Sequence, residues 1–569
     1  MVKRDITILG INDMHDAGAA LVRNGRVIAA IQEERLRNIK HYGGNPTLSI
    51  KEVFKVSKIH PSEVDAIAVA TLCGGVSPFN ENALSEKIIM KISPLVASHT
   101  FSKMYVKIFS RLRNLKPLMD VLKELGLERK EMFIIEHHLA HAACAYYTAP
   151  FAENEKVLIL TADGTGDGVS STVNIGEKGE MSRLAWSTSY DSLGNAFYTE
   201  ITAYLGLKRW DHEYKVMGLA PYGRYQYCLE QVKKLIRLNP KKPLEFQNTM
   251  NASGTFIQKR LRKFLATHRF DNIAAAAQFW LETLLLKWVK NAIELTGIHR
   301  IACSGGVFLN VKANKLIRES SEVHDSFFYP AAGDDGLPVG AALQAYHEFC
   351  KREGIKPEKA PLTDLYYGPD YEEEYIQHVL KKEGLLGKTE YHPEIEGVIG
   401  DLLSKRKIVA RFDGRLEWGP RALGNRSILA DARDLRAVRK INFAIKHRDF
   451  WMPFAPTILE ERASEYLVNP CPAPYMVLAF DTTDKRDEII AAIHPFDNTC
   501  RPQTLNTTSN PSYRKILETF QEVTGVGGLL NTSFNLHGYP IVATPEQAVY
   551  TFKNSGIDAL AIGNYLVLR

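Results

Sequence analysis

The sequence predicts an α/β protein: an internally duplicated first domain followed by a smaller α/β domain. Three observations predict it. The chain has 569 residues, more than one hydrophobic core usually supports, so two or three domains are expected. A run of strand, Asp/Gly turn and meander at the amino terminus recurs in form at residues 157–187, as in a duplicated unit. Residues 353–374, EGIKPEKAPLTDLYYGPDYEEE, are rich in Pro, Gly and charge and read as a linker.

In the first copy, ITILGINDMHDAGAALVRNGRVIAAIQEER reads as a strand, a Gly/Asp turn, a second strand, a hairpin turn at Asn24-Gly25 and a third strand. Residues 83–130 are expected to be helical. From Lys87 to Lys116 they carry seven basic side chains and no acid, which reads first as a solvated helix face and second as a lid for an anionic substrate. In the second copy, VLILTAD is a buried strand, GTGDG the turn and VSSTVNIGE the next strand, and Lys178-Gly179 leads into MSRLAWSTS. Residues 272–298 form a periodic helix with a Gly stop. HRIACSGGVFLNVKANKLI then reads as strand, Gly-Gly turn and helix, and FYPAAGDDGLPVGAALQAYHEF as a Gly/Asp loop entering a small-residue helix. The expected division is a domain at 1–355, a linker at 356–385 and a domain at 386–569, the last with strands in KIVARFDG, YMVLAF and LAIGNYLVL.

With 45% hydrophobic and 24% charged residues, the composition fits a globular protein. A net charge of +6 is small for this length and gives no reason to expect nucleic acid. Seven cysteines without CxxC spacing do not suggest a disulfide framework and favour the reducing cytoplasm. The apolar run in MVKRDITILGIND is too short for a signal-peptide core, and no stretch approaches the ~18 apolar residues of a membrane span. No membrane partner is expected.

The stretch EHHLAHAACAYY places His137 and His141 on one helix face at i, i+4, within reach of a single metal ion. His138 points elsewhere, and because it fills the position where HExxH needs Glu, the protease reading falls. Asp163 at the end of VLILTAD and Asp334 in AAGDDGLPVG, with Asp335 as its neighbouring competitor, are the candidate carboxylate ligands. Two His and two carboxylates suit iron, manganese or zinc better than magnesium or calcium, although Asp is also common in D-G turns for geometry alone. The glycine turns in GTGDG, CSGGVFLN and AAGDDG can cradle phosphates and, beside a metal pair, point to a nucleotide site. In the second domain Arg415, Arg421, Arg426, Lys446, Arg448 and Arg501 crowd near glycines and turns. Forked guanidinium groups bind phosphate or carboxylate there, against the plainer reading of structural salt bridges.

The motifs GINDMHDAGAALV, IQEERLRNIKHYG, EHHLAHAACAYY, ADGTGDG, EYKVMGLAPYG, SGGVFLNVKAN, GDDGLPVGAA, GRLEWGPRALGNRSILADAR, KHRDFWMPFAP and LLNTSFNLHGYPIV run in one order over nearly the whole chain. Together they resemble the O-carbamoyltransferase family of nodulation-factor and antibiotic tailoring. The resemblance implies a duplicated, RNase H-like ASKHA domain similar to the tRNA threonylcarbamoyl-transfer protein, followed by a YrdC-like domain of the threonylcarbamoyl-adenylate-forming kind. It implies that carbamoyl phosphate and ATP give carbamoyl adenylate and pyrophosphate in the second domain. The carbamoyl group then passes to a hydroxyl of a small-molecule acceptor in the first.

Further expectations follow from the resemblance. Iron(II) is the favoured metal at His137, His141, Asp163 and Asp334, and Mg(II) can accompany ATP. His15 is the base toward the acceptor hydroxyl, and Lys40 stabilises charge on the transferring group. Gly164, Lys215, Gly218, Gly305, Gly306 and Asn310 line the nucleotide and acceptor cleft. Arg421, Lys446, Arg448, Arg501, Asn531 and Asn535 bind carbamoyl phosphate and ATP. A homo-oligomer is compatible with this reading. Many relatives carry Arg just before PFAP, where this chain has Met452, so Arg448 or Arg426 is the expected substitute. The alternative reading is a tRNA-modifying, threonylcarbamoyl-transfer-like protein, disfavoured by the mild charge and by the lack of basic stretches interleaved with aromatics.

Overall fold

The computed structural model describes residues 5–73, 98–252 and 255–569. Contacts gather the chain into two compact units, one of Met1–Ala30 with Gly43–Thr363, the other of Ile31–Tyr42 with Asp364–Arg569.

In the first unit, runs of buried aliphatic residues form β1 (Thr7–Asn12), β2 (Gly18–Arg23), β3 (Arg26–Gln32), β4 (Ala66–Ala70) and β5 (Glu131–Ile135), in the sheet order β3-β2-β1-β4-β5. The second copy supplies β6 (Val157–Gly166), β7 (Val169–Glu177) and β8 (Glu180–Thr188). After a two-stranded ribbon, β9 (Ile236–Asn239) and β10 (Lys242–Asn248), come β11 (Arg300–Ser304) and β12 (Asp325–Phe328), and the second sheet runs β8-β7-β6-β11-β12. In both sheets the leading strand pairs antiparallel with its meander and parallel with the strand on its other side. This repeat is the internal duplication expected from the sequence. The turns repeat as well. Asp16 and Asp167 occupy the left-handed region at φ 52 and 49, and Asn24-Gly25 and Lys178-Gly179 both take two successive positive φ values, the hairpin geometry that matches strand twist.

Helices His137–Thr148 and Leu337–Arg352 pack closely, because a Cβ on Gly340 would run into the Ala140 carbonyl. The helix Phe270–Thr296 stops at Gly297, φ 66, in keeping with the Gly stop read from sequence. Of the segment expected to be helical at 83–130, helices His99–Leu112 and Lys116–Glu124 are described, whereas residues 74–97, with Lys87 and Lys91, lie outside the described residues. Lys103, Lys107 and Arg111 are exposed. Arg113 turns inward instead, donating to Asp13 Oδ1 at 2.6 Å and to the carbonyls of Ala70 and Thr71.

The second unit is a mixed eight-stranded sheet of β13 (Thr389–Tyr391), β14 (Val409–Phe412), β15 (Arg426–Asp431), β16 (Ala455–Leu459), β17 (Gln503–Leu505), β18 (Gly528–Ser533), β19 (Ala559–Ile562) and β20 (Tyr565–Leu568). Its order is β13-β20-β19-β14-β15-β18-β16-β17. Ile399 and Leu403 of helix Ile395–Ser404 meet Tyr513, Leu517 and Phe520 of helix Pro511–Thr524 in its core. YMVLAF does not form the expected strand: Met476 sits at φ 56, which breaks the extended run, and only Phe480 bridges, to Cys500. The short helix Glu33–Arg37 belongs to this unit, where Arg35 Nη2 donates to the Gly419 carbonyl at 2.8 Å. Among the described residues no helix is long and apolar enough to cross a membrane.

Candidate functional site

The helix carrying the histidines starts under tight control. Glu136 caps it by accepting from Leu139 N at 2.7 Å, and Asp167 Oδ2 accepts from His137 N at 2.9 Å. His137 and His141 are buried and turn their Nε2 atoms to within 3.2 Å of each other. Two carboxylates meet them there. Asp163 Oδ2 is 3.4 Å from His137 Nε2, and Asp334 Oδ1 is 3.5 Å from His137 Nε2 and 3.6 Å from His141 Nε2. The four ligand atoms all lie within 4.8 Å of one another, so Asp334 rather than Asp335 joins the histidines. His138 faces away, bonding Thr161 Oγ1 at 2.7 Å and the Val169 carbonyl at 3.2 Å.

Gly306, expected at the cleft, and three residues not singled out in the sequence, Ser304, Gly166 and Asn12, hold this geometry. Gly306 N donates to Asp163 Oδ1 at 2.7 Å, leaving Oδ2 to face His137, so in this structure the Gly305-Gly306 turn spends an N–H on a ligand carboxylate rather than on a phosphate. Ser304 Oγ lies 3.4 Å from His141 Nδ1, which favours the tautomer with a lone pair on Nε2. A Cβ on Gly166 would overlap the His137 ring. Asn12, wholly buried, donates from Nδ2 to the carbonyls of His15 at 2.8 Å and Asp334 at 3.2 Å, tying the His15 turn to the Asp334 loop. Asn beside a strand-end His is the one sequence signal that could have marked it.

The electrostatics fit a cation. Burial opposes charge on His137, but Asp334, Asp163 and Asp167 outweigh it and raise its pKa to about 9. Burial alone would raise Asp163; the His137 hydrogen bond and the His141 and His137 charges hold its carboxyl far below the usual range. Asp334 Oδ1 is buried without a hydrogen-bond partner. A carboxylate oxygen without a hydrogen-bond partner, facing two converging imidazoles and a second carboxylate, is a donor set that could hold a divalent transition metal.

His15 Nδ1 lies 3.2 Å from Asp16 Oδ2, with the imidazole partly exposed. Gly164 follows Asp163 at the end of β6, and Lys215 and Gly218 lie on the helix Glu213–Leu219. Asn310 is committed elsewhere: it caps the helix Val311–Arg318 through Ala313 N at 3.1 Å and exchanges two 2.9 Å hydrogen bonds with Gln278.

In the second unit Lys446 is buried, and burial with the nearby Arg448 and Lys40 pushes its pKa well down. Burial, Arg421 and Arg448 do the same to Arg501. Lys40 therefore groups with Lys446 in this unit. The charged groups acting on Lys446 and Arg501 are all cations. Lys446 Nζ is held by Asn535 Oδ1 at 2.6 Å, Ser533 Oγ at 3.1 Å and the carbonyls of both residues, so Asn535 positions a charge. Asn531 Nδ2 donates to the Ala422 carbonyl and Thr457 Oγ1, and its buried Oδ1 has no partner. Arg426 and Arg415 are structural, contrary to expectation. The Arg426 guanidinium bonds the carbonyls of Asp413, Asn425 and Pro369 and lies 3.7 Å over Phe412, while Arg415 binds the carbonyls of Tyr367 and Gly368. Arg448, lying over Phe454 and donating to the Pro453 carbonyl at 3.3 Å, is the cation beside PFAP.

Comparison with known proteins agrees with this layout. Residues 7–343 match the family model described as Carbamoyltransferase N-terminus and residues 400–569 the one described as Carbamoyltransferase C-terminus. Nodulation protein NolNO of Sinorhizobium fredii is 33% identical over 568 residues, covering 98% of this chain and 79% of that protein. An uncharacterized protein of Methanocaldococcus jannaschii is 32% identical over 621 residues, covering 99% of this chain and 100% of that protein. An uncharacterized protein of Synechocystis is 30% identical, covering 99% and 96%. With matches to both halves and to relatives of full length, the chain belongs to the carbamoyltransferase family.

Proposed function

We propose that the protein is an ATP-dependent O-carbamoyltransferase that works in two steps. Carbamoyl phosphate and ATP yield carbamoyl adenylate in the second unit, with pyrophosphate and inorganic phosphate released and one water consumed. The carbamoyl group then moves to a hydroxyl of a small-molecule acceptor in the first unit, releasing AMP. The observation that carries the reading is the like-charge neighbourhood of two buried cations, Lys446 beside Arg448 and Lys40, and Arg501 beside Arg421 and Arg448. Such a group is stabilised by polyanions, and a step that brings two phosphate compounds together needs it. Lys446, its N–H donors taken by the loop, acts through its charge, which burial and its like-charged neighbours disfavour and a bound polyanion favours. The orphaned acceptor Asn531 Oδ1 suits the carbamoyl –NH2.

In the first unit, Asp16 accepts Nδ1–H of His15, which leaves Nε2 as the base for the acceptor hydroxyl. Asn12 holds that turn against the Asp334 loop, so base and carboxylate keep a fixed separation. His137, His141, Asp163 and Asp334 would hold a divalent metal, iron(II) by resemblance, whose contribution is Lewis acidity toward phosphate or carbonyl oxygen.

The test is product analysis. AMP and pyrophosphate should form from ATP only when carbamoyl phosphate is supplied. Formation of ADP, or AMP release indifferent to carbamoyl phosphate, would sink the proposal.

A further inference from the structure

Between β14 and β15, residues 413–425 form neither helix nor strand, so their backbone groups must find partners outside any regular ladder. One side chain satisfies three of them. Glu417, 2% exposed, accepts at Oε1 from the backbone N–H groups of Leu423 at 2.8 Å, Asn425 at 2.8 Å and Arg426 at 3.1 Å. A buried carboxylate is costly unless donors surround it. Here the donors converge from one bend of the chain, as in a nest.

The rest of the loop is fixed through its carbonyls. That of Ala422 accepts from Asn531 Nδ2 at 3.2 Å, that of Leu423 from the Tyr366 hydroxyl at 2.9 Å and Gln503 Nε2 at 3.1 Å, and that of Gly424 from Arg411 Nη1 at 3.0 Å. Glycines allow the path: Gly419 and Gly424 take φ 91 and 117, and a Cβ on Gly424 would run into the Tyr513 ring. From Leu416 to Ala432 only Pro420 and Arg421 escape burial. Arg421 therefore stands at the apex of a loop that Glu417 closes across its base. Burial comes first among the influences that disfavour charge on Arg501, and Arg421 comes next.

We infer that Glu417 is a positioning residue for carbamoyl phosphate: its carboxylate closes the loop that presents Arg421 and lays the Ala422 carbonyl against Asn531. Two parts of the proposed site then depend on one oxygen, a guanidinium for the phosphate and the amide whose Oδ1 suits the carbamoyl –NH2. The carboxylate acts by reach rather than by charge, because its three donors are backbone N–H groups that any acceptor oxygen at that point would satisfy. Its charge has a separate use at Arg426, where burial works against the guanidinium and Glu417 heads the anions that sustain it. The inference rests on the two-step reading but is read by binding as well as by turnover.

The experiment uses the full chain as wild type, Glu417→Gln, Glu417→Asp, Arg421→Ala and the double variant Glu417→Asp with Arg421→Ala. Each is measured by pyrophosphate release with carbamoyl phosphate varied at saturating ATP, by calorimetric titration with carbamoyl phosphate, and by thermal melting. Glu417→Gln keeps an oxygen at full reach and should hold the carbamoyl phosphate KM within about threefold of wild type while melting lower, because Arg426 loses its anion. Glu417→Asp keeps the charge but withdraws the oxygen by one methylene, roughly 1.5 Å. It should raise KM and the calorimetric Kd about tenfold, with kcat within about threefold. In the Arg421→Ala background the same substitution should add no more than about twofold, since residues that act through one another are not additive. The inference is overturned if Glu417→Asp melts lower with KM unchanged, if Glu417→Gln loses as much affinity as Glu417→Asp, or if the Glu417→Asp effect persists in full beside Arg421→Ala. A wild type that binds carbamoyl phosphate without making AMP would instead overturn the two-step chemistry, and the calorimetric comparison would still decide the role of Glu417.

Discussion

Gly166→Ala is the sharpest test of the metal assignment, because it replaces none of the four proposed ligands. In the structure a Cβ at residue 166 would overlap Cγ, Cδ2 and Nδ1 of His137. Ordinary van der Waals contact begins near 3.4 Å, so the ring must move by more than an ångström. His137 Nε2 stands 3.4 Å from Asp163 and 3.5 Å from Asp334, and a metal site tolerates displacement of only about 0.5 Å. Overpacking should cost roughly 1–3 kcal/mol of stability, and metal affinity should fall about 10- to 100-fold, as when an outer-shell support is lost. Metal content after purification and a cobalt(II) titration of the chelated protein measure the affinity, while circular dichroism confirms folding. Gly126→Ala, with a positive φ that Gly166 lacks and no atom within 4 Å of the added Cβ, is the control for a glycine substitution remote from the four residues. Equal cobalt affinity in Gly166→Ala and Gly126→Ala would refute the placement of His137 at a metal.

Four other outcomes are expected. Lys446→Met should reduce AMP and pyrophosphate formation at least 100-fold, measured by pyrophosphate release, and destabilise by roughly 1–3 kcal/mol because Ser533 and Asn535 lose a buried donor. In the metal-free protein, the raised pKa of His137, about 9 against 6.5, contributes roughly 3 kcal/mol that is fully present below pH ~6.5 and lost as pH rises through ~9; denaturation midpoints with chelator at pH 6 and pH 9.5 check it. Asn12→Ala should lower kcat for acceptor carbamoylation about 10- to 100-fold by loosening the His15 turn, with pyrophosphate release unchanged. Arg426→Lys should lower thermal stability while leaving the carbamoyl phosphate KM within twofold, since the guanidinium is spent on three backbone carbonyls.

The parts legible in the sequence were those written in short-range spacing. Five residues fixed the histidine pair and expelled His138, and the Asp/Gly turns marked both copies of the sheet, down to the paired positive φ values at Asn24-Gly25 and Lys178-Gly179. What composition obscured was how each cation is used. Arginine density near glycines does not distinguish Arg426, whose guanidinium is enclosed by carbonyls, from Arg448, which lies among like charges. YMVLAF had strand composition, yet one left-handed residue was enough to prevent the strand.

The supports of the site were illegible for a different reason. Gly166, Ser304 and Asn12 act on His137, His141 and Asp334 from 29 to 322 positions away in sequence, and Gly306, expected only to line the cleft, acts on Asp163 from 143 positions away. Nothing in their own neighbourhoods requires those contacts; only the pairing of β6 with β11, which aligns Thr161 with Ser304, brings Asp163 to the Gly305-Gly306 turn. A carboxylate that must present one oxygen inward needs a donor for the other, and here the parallel strand pairing supplies it as a backbone N–H. The donor therefore depends on the register and not on a side chain. Substitution at residue 306 should accordingly matter through space, where a Cβ would come 2.8 Å from Asp163 Oδ1, and not through the chemistry of the residue introduced.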